Sequence, residues 1–95
     1  MGLAKKTTSM HVTYGVPQVN TTLIDPTSNN YVYIWSLVIE ADGAYDIHFL
    51  TSGQIIKGNG GIIGAVGINK QGLVDEIVQI TCDGNTTVRI MFDEV

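Results

Sequence analysis

The chain has one cysteine, two prolines, one tryptophan and only five lysines and arginines among 95 residues. Each shortage excludes something. A single cysteine, Cys82, cannot close an intramolecular disulfide, so the fold does not depend on oxidation. In "IVQITCD" it falls in phase with Val78 and Ile80 and reads as a buried thiol serving as a small apolar residue. The basic residues are few and unevenly placed: Lys5 and Lys6 stand near the start, and only Lys57, Lys70 and Arg89 follow. From Ser9 onward there are three basic and nine acidic side chains, which leaves the body at −6. A phosphate backbone needs clustered Lys and Arg, so nucleic acid is not an expected partner. No apolar run reaches the ~20 residues of a membrane-spanning helix. The opening "MGLAKKTTSM" lacks the apolar stretch of a secretory signal, and Lys6 stands where myristoylation requires Ser or Thr. Synthesis in the cytoplasm, with no membrane partner, is the expectation.

What is present is apolar. Hydrophobic residues make up 44% of the chain, charged residues 15%, and mean hydropathy is +0.20. A single domain of this length buries roughly 60–65% of its unfolded surface, so its core is thin. An apolar excess in so small a domain points to surface covered by another subunit.

Residues 1–9 are polar, lightly basic and aperiodic, and read as a flexible N-terminal arm. Residues 10–95 read as one domain of short β-strands separated by turn residues. "MHVTY" and "TTLID" are strands, with "GVPQVN" a loop between them and "PTSNN" a turn after. "YVYIWSLVIE" is the strongest strand; its odd positions, Tyr31, Tyr33, Trp35, Leu37 and Ile39, form an apolar face. Asp42-Gly43 reads as a hairpin turn into the alternating strand "AYDIHFL", because such a turn needs the positive φ that glycine adopts freely. Thr51-Ser52-Gly53 is another turn, "QIIK" a short strand, and "GNGG" at 58–61 a further tight turn. Gly64 and Gly67 within "IIGAVGI" suggest a bent or bulged strand. "NKQG" is a turn, a helical turn can open "LVDEIVQITCD", and Asp83-Gly84-Asn85 reads as a hairpin turn into the closing strand "TTVRIMFDEV". Seven to eight short strands at regular spacing, without a helix, predict an antiparallel β-sandwich or jelly roll.

No constellation in the sequence announces chemistry. His11 and His48 sit on polar phases of strands, whereas zinc needs three or four converging ligands. Cys82 has no local cysteine-protease signature, no Gly-x-Ser-x-Gly is present, and a Cys82–His48 pair would require an exposed thiol. Glu40, Asp42 and Asp46 flank one turn; glycoside hydrolysis needs paired carboxylates across a cleft, and calcium needs a ligand spacing this turn lacks. "GNGG" has neither the lysine nor the helix of a phosphate cradle. The Asn20-Thr21-Thr22 and Asn85-Thr86-Thr87 acceptor patterns lack a secretory context. Tyr31, Tyr33 and Trp35 form an aromatic ladder that suits core or an oligomer interface better than a ligand platform. No catalytic residue, metal or cofactor is expected.

The run "YVYIWSLVIEADGAYDIHFLTSGQIIKGNGGIIGAVG" resembles the small structural proteins of tailed-bacteriophage virions. Those proteins share an opening strand, a "SLVI-A-GA" turn, an alternating strand ending in a Ser-Gly turn, and a short strand before an "NGG"-like loop; "TTVRIMFDEV" resembles their last strand. The likeness covers Tyr31 to Val95 and breaks after Gly64, where "AVGINKQGLVDEIVQ" replaces a Pro- and aromatic-rich stretch. The resemblance implies a non-enzymatic head decoration (cement) protein on the capsid surface, often trimeric, whose arm reaches the major capsid protein. On that reading Lys5, Lys6, Thr7 and Thr8 make the capsid contact, and the two lysines suit an acidic shell. A tail-fibre tip or a carbohydrate- or receptor-binding sandwich, using loops such as "PTSNN" and "GNGG", is the alternative. An enzyme or small host regulator is the third class.

Overall fold

A computed structural model describes residues 6–95, including their side chains except at positions 6, 7, 63 and 65–67. It is all-β and antiparallel, with the strands of one curled sheet closing over a single core. Six strands run in chain order: β1 (Lys6–Tyr14), β2 (Gln18–Ile24), β3 (Val32–Phe49), β4 (Ile55–Gln71), β5 (Val78–Cys82) and β6 (Thr86–Glu94). The sheet order is β1-β6-β3-β5-β2, with β4 on the other side of β3.

The register shows how this simplifies. β6 lies along β3 from Val32 to Ala41, and β5 continues along the same edge of β3 from Tyr45 to Phe49. β1 lies along β6 and β2 along β5 in the same succession. β4 covers the opposite edge of β3 over nearly its whole length. The fold is therefore four long antiparallel courses, β1–β2, β5–β6, β3 and β4, all interrupted at one level. The interruptions are Gly15–Pro17, Asp83–Asn85, Asp42–Gly43 and Gly60–Gly61. A straight strand of 18 residues would span ~60 Å, but the longest dimension of the molecule is 45 Å. The courses bend at this crease, and each sheet half becomes one layer of a sandwich.

A glycine stands at each break, and at Gly60–Gly61 the backbone conformation requires it. Gly60 and Gly61 have φ of 73° and 81°, which a residue with a Cβ adopts only under strain. A Cβ on Gly43 would stand 3.4 Å from that of Asp83. The crease is not a gap in pairing: the Asp42 amide donates to the Asn85 carbonyl (3.0 Å) and the Asp83 amide to that of Ala44 (3.0 Å).

This corrects the strand assignment made from sequence. Asp42-Gly43, the "GNGG" run and Asp83-Gly84-Asn85 all read as reversals; in the structure the chain keeps its direction through each. β3 joins the two strands expected on either side of Asp42-Gly43. The reversals that remain are Asp25–Tyr31, Leu50–Gln54 and Gly72–Ile77. The irregularity expected from "IIGAVGI" is present as a register shift in β4 between Val66 and Lys70.

A second correction concerns phase. β3 buries Val32 and Ile34, then Leu37, Ile39, Tyr45, Ile47 and Phe49. The switch from even to odd positions falls at Trp35, where the pairing slips by one residue against β6 and by two against β4. A bulge of this kind turns every side chain beyond it to the other face. The core also takes Leu23 and Ile24 from β2, Val78, Ile80 and Cys82 from β5, and Val88, Ile90 and Phe92 from β6, each 5% exposed or less. Complete burial of Val32, Ile34, Ile47, Val78 and Ile80 requires cover from the facing layer.

A third correction concerns the arm. β1 begins at Lys6 and pairs without a break, Lys6 opposite Glu94 through Tyr14 opposite Thr86. Residues 6–9, expected in the arm, are ladder residues, since Thr and Ser in an extended run gain backbone bonds along an available edge. Met1–Lys5 lie outside the described residues.

Candidate functional site

The end of the sandwich away from the crease is closed by the loops Leu50–Gln54 and Gly72–Ile77. The Gly72 amide donates to Val32 (2.9 Å), Leu50 to Ile77 (3.0 Å) and Gln54 Nε2 to the Gln71 carbonyl (2.6 Å). At the centre is Glu76, only 2% exposed. Its Oε1 accepts from the Leu73 amide (2.8 Å); its Oε2 accepts from the Thr51 amide (2.5 Å) and from that of Ser52. Burial pushes this carboxyl up, but the bonds from Leu73, Ser52 and Thr51 outweigh it and hold the group below the ordinary glutamate value. One buried carboxylate thus fastens two loops. Gly72 lets it approach, because a Cβ there would stand 2.9 Å from the Phe49 ring and 3.0 Å from Glu76 Oε1.

These fastened loops carry Leu50, Leu73 and Val74 into solvent, at 54%, 53% and 58% exposure. The backbone beneath them is tied down, since Asp75 Oδ1 accepts from the Asn29 amide (2.6 Å) and the Asp75 amide donates to Asn30 (2.8 Å). Apolar side chains held outward on well-bonded loops are a contact surface in form. Leu73–Glu76, expected as a helical turn, is a single turn closed by the Glu76 amide on the Leu73 carbonyl (3.1 Å), with Asp75 at φ 63°.

On the outer face of the second layer, Asp46 Oδ1 lies 2.6 Å from His48 Nδ1, and Gln79 Oε1 lies 3.0 Å from His48 Nε2. Asp46 and His48 are two apart on β3, so they share a face, and His48 is opposite Gln79 on β5. The arrangement pairs an imidazole with an orienting carboxylate. An amide occupies the far side, where catalysis would want a hydroxyl or thiol. Cys82 belongs to the buried phase of β5 and Gln79 to its outer phase, so the thiol and His48 lie on opposite faces of the sheet.

The crease carries two open grooves. One, of about 480 Å³, is bordered by Asp46, Lys57, Asn59, Thr81 and Asp83; the other, about 580 Å³, by Thr13, Glu40, Asp42, Ile62 and Asn85. Asp42 accepts from Asn85 Nδ2 at 3.2 Å. Beneath the first groove the Tyr45 ring lies on Gly58, where a Cβ would stand 2.4 Å from the hydroxyl oxygen. Burial raises the Tyr45 phenol above its ordinary value. Among the described residues, no three His, Cys, Asp or Glu side chains converge as metal ligands would.

The residues singled out from sequence are dispersed. Lys5 lies outside the described residues, and Lys6, Thr7 and Thr8 are in β1. Tyr31, Tyr33 and Trp35 are half-buried and outside the core cluster, and the Tyr33 hydroxyl donates to Asn69 Oδ1 (2.8 Å). His11 is exposed on β1. The Glu76 clasp carried no sequence signal beyond an acidic residue ahead of a buried strand. The His48 pair was signalled by i, i+2 spacing. Comparison with known protein families, curated proteins and solved structures finds no match.

Proposed function

We propose that this chain is a non-enzymatic structural protein of a tailed-phage virion, a head decoration protein that assembles with copies of itself, as a trimer, on the shell formed by the major capsid protein. The observation that carries this reading is the loop end of the sandwich. Leu50, Leu73 and Val74 are more than half exposed, yet sit on loops fixed by the buried Glu76 carboxylate. An apolar surface on prefastened loops suits docking, because little conformational entropy remains to be lost. The apolar composition and the resemblance of Tyr31–Val95 to virion structural proteins support the same reading.

The test is rebinding. Purified protein added to heads that lack it should decorate them and raise the temperature at which they rupture. Leu73→Asp combined with Val74→Asp should abolish decoration while leaving the circular dichroism spectrum unchanged. Wild-type protein that does not bind such heads would overturn the proposal. A second reading, a carbohydrate-binding module, is favoured by the first crease groove, where Asp46, Lys57, Asn59 and Asp83 offer donors and acceptors suited to hydroxyl groups. Glycan-array binding lost in Asn59→Ala would favour it instead.

A further inference from the structure

The two layers of the sandwich treat their edges differently. The layer made of β1, β6, the first half of β3 and the second half of β4 ends in β1 on one side and β4 on the other. Among the described residues β1 pairs with β6 alone and β4 with β3 alone. Each therefore presents a row of backbone N–H and C=O groups sideways. Such edges are ordinarily blunted by proline, charge or irregular pairing. From Thr7 to Tyr14, β1 has no proline, lysine, arginine or carboxylate, and its register with β6 is unbroken. From Gly61 to Val66, β4 likewise has none, and its register with β3 is unbroken from Ala41 to Ser36.

The other layer is protected. β2 follows Pro17, slips register twice against β5, and bends at Asn20 with φ 48°. The matching half of β4 carries Lys57 at its middle, whereas Lys70 and the register slip of the first layer's half both fall beyond Val66. The contrast between layers locates an assembly edge on the first.

We propose that β4 of one copy pairs, over Gly61–Val66, with β1 of a second copy, extending the first layer from subunit to subunit. Strand polarity selects this occupant. The layer has four strands, all antiparallel, so its two outer strands run in opposite directions. A copy added head to tail in the same orientation meets β4 with β1 antiparallel, the favoured ladder. Pairing β4 with β4 about a two-fold axis would leave every β1 edge open, whereas the head-to-tail contact satisfies both edges. Neither paired segment contains a lysine, arginine or carboxylate, so like charges are not brought together. That the ring closes after three copies rests on the trimer reading above; the edge pairing does not.

The experiment uses two exposed edge positions, Ile62 on β4 (75% exposed) and Ser9 on β1. The wild type should sediment as an oligomer of its 10.2 kDa chain, and Ile62→Lys and Ser9→Lys should each sediment as monomers with unchanged circular dichroism. Mixed, they should form a species of twice the monomer mass, because the Ser9→Lys copy keeps its β4 edge and the Ile62→Lys copy its β1 edge. Hydrogen exchange of the wild type, independent of any variant, should slow in both segments as concentration rises. A wild type monomeric at every concentration, a mixture that stays monomeric, or folded variants that remain oligomeric would each overturn the proposal. None of these outcomes depends on binding to a capsid, so they are separable from failure of the decoration reading.

Discussion

The Glu76 clasp sets a demanding expectation. Its carboxylate is the shared acceptor for the Leu73, Thr51 and Ser52 amides. Glu76→Ala leaves three amides without that partner. A hydrogen bond to a charged acceptor contributes about 1.5–3 kcal/mol, and three that share one acceptor do not add fully, so the loss should be about 3–5 kcal/mol. For a domain of this size that lowers Tm by roughly 15–30 °C. Glu76→Gln should cost less, about 1–3 kcal/mol, because its oxygen can face Thr51 and Ser52 while its NH₂ opposes the Leu73 amide. The pH dependence has a fixed sign. Because the folded carboxyl is held below the ordinary value of 4.5, its contribution is complete above the unfolded pKa and is lost as pH falls through the lower folded value. Urea denaturation of wild type and Glu76→Gln at neutral pH and at pH below that of the folded group should therefore show a gap that narrows in acid. A gap that stays constant, or a Glu76→Ala loss under about 1 kcal/mol, would refute the reasoning.

Three further outcomes are expected. Gly58→Ala should lose about 1–3 kcal/mol through overpacking against the buried Tyr45 ring; denaturation should show the added Tyr45→Leu restoring part of that loss, whereas an additive double mutant would contradict the contact. Cys82, 2% exposed, should stay unreactive to an aromatic disulfide reagent in the native protein and react fully in denaturant; fast native labelling would contradict its burial. Deleting residues 1–9 should lower stability by about 1–3 kcal/mol, because it removes the Lys6–Ser9 ladder against Glu94–Met91; thermal melts no different from those of a 1–5 deletion would contradict the β1 assignment.

The sequence carries the fold class clearly and the topology poorly, for one physical reason. Alternation in "AYDIHFL" and "TTVRIMF" reports a half-buried extended strand whatever its neighbours. Glycine with Asp or Asn reports a departure from regular pairing, and the same residues serve a reversal or a crease. Asp42-Gly43, "GNGG" and Asp83-Gly84-Asn85 became creases because they lie side by side across the sheet, a property of the register that no local window contains. Thr51-Ser52-Gly53, chemically similar, is a true reversal with the Gly53 amide bonded to Phe49 (3.1 Å). The phase error at Tyr31, Tyr33 and Trp35 has the same origin: "YVYIW" is apolar at every position, so alternation cannot say where the bulge falls. Cys82, flanked in phase by Val78 and Ile80, was legible because its strand does alternate. The Glu76 clasp was not, since two of its three donors come from a loop about 25 residues away in the chain.

The central claim, a self-assembling shell component, is tested most directly by the copy number of this chain in purified virions, measured by quantitative mass spectrometry against the major capsid protein. The account predicts an abundance comparable to that of the shell subunit, in a multiple of three per site. A few copies per particle would contradict it in favour of a tail position, and absence from the particle would contradict it altogether.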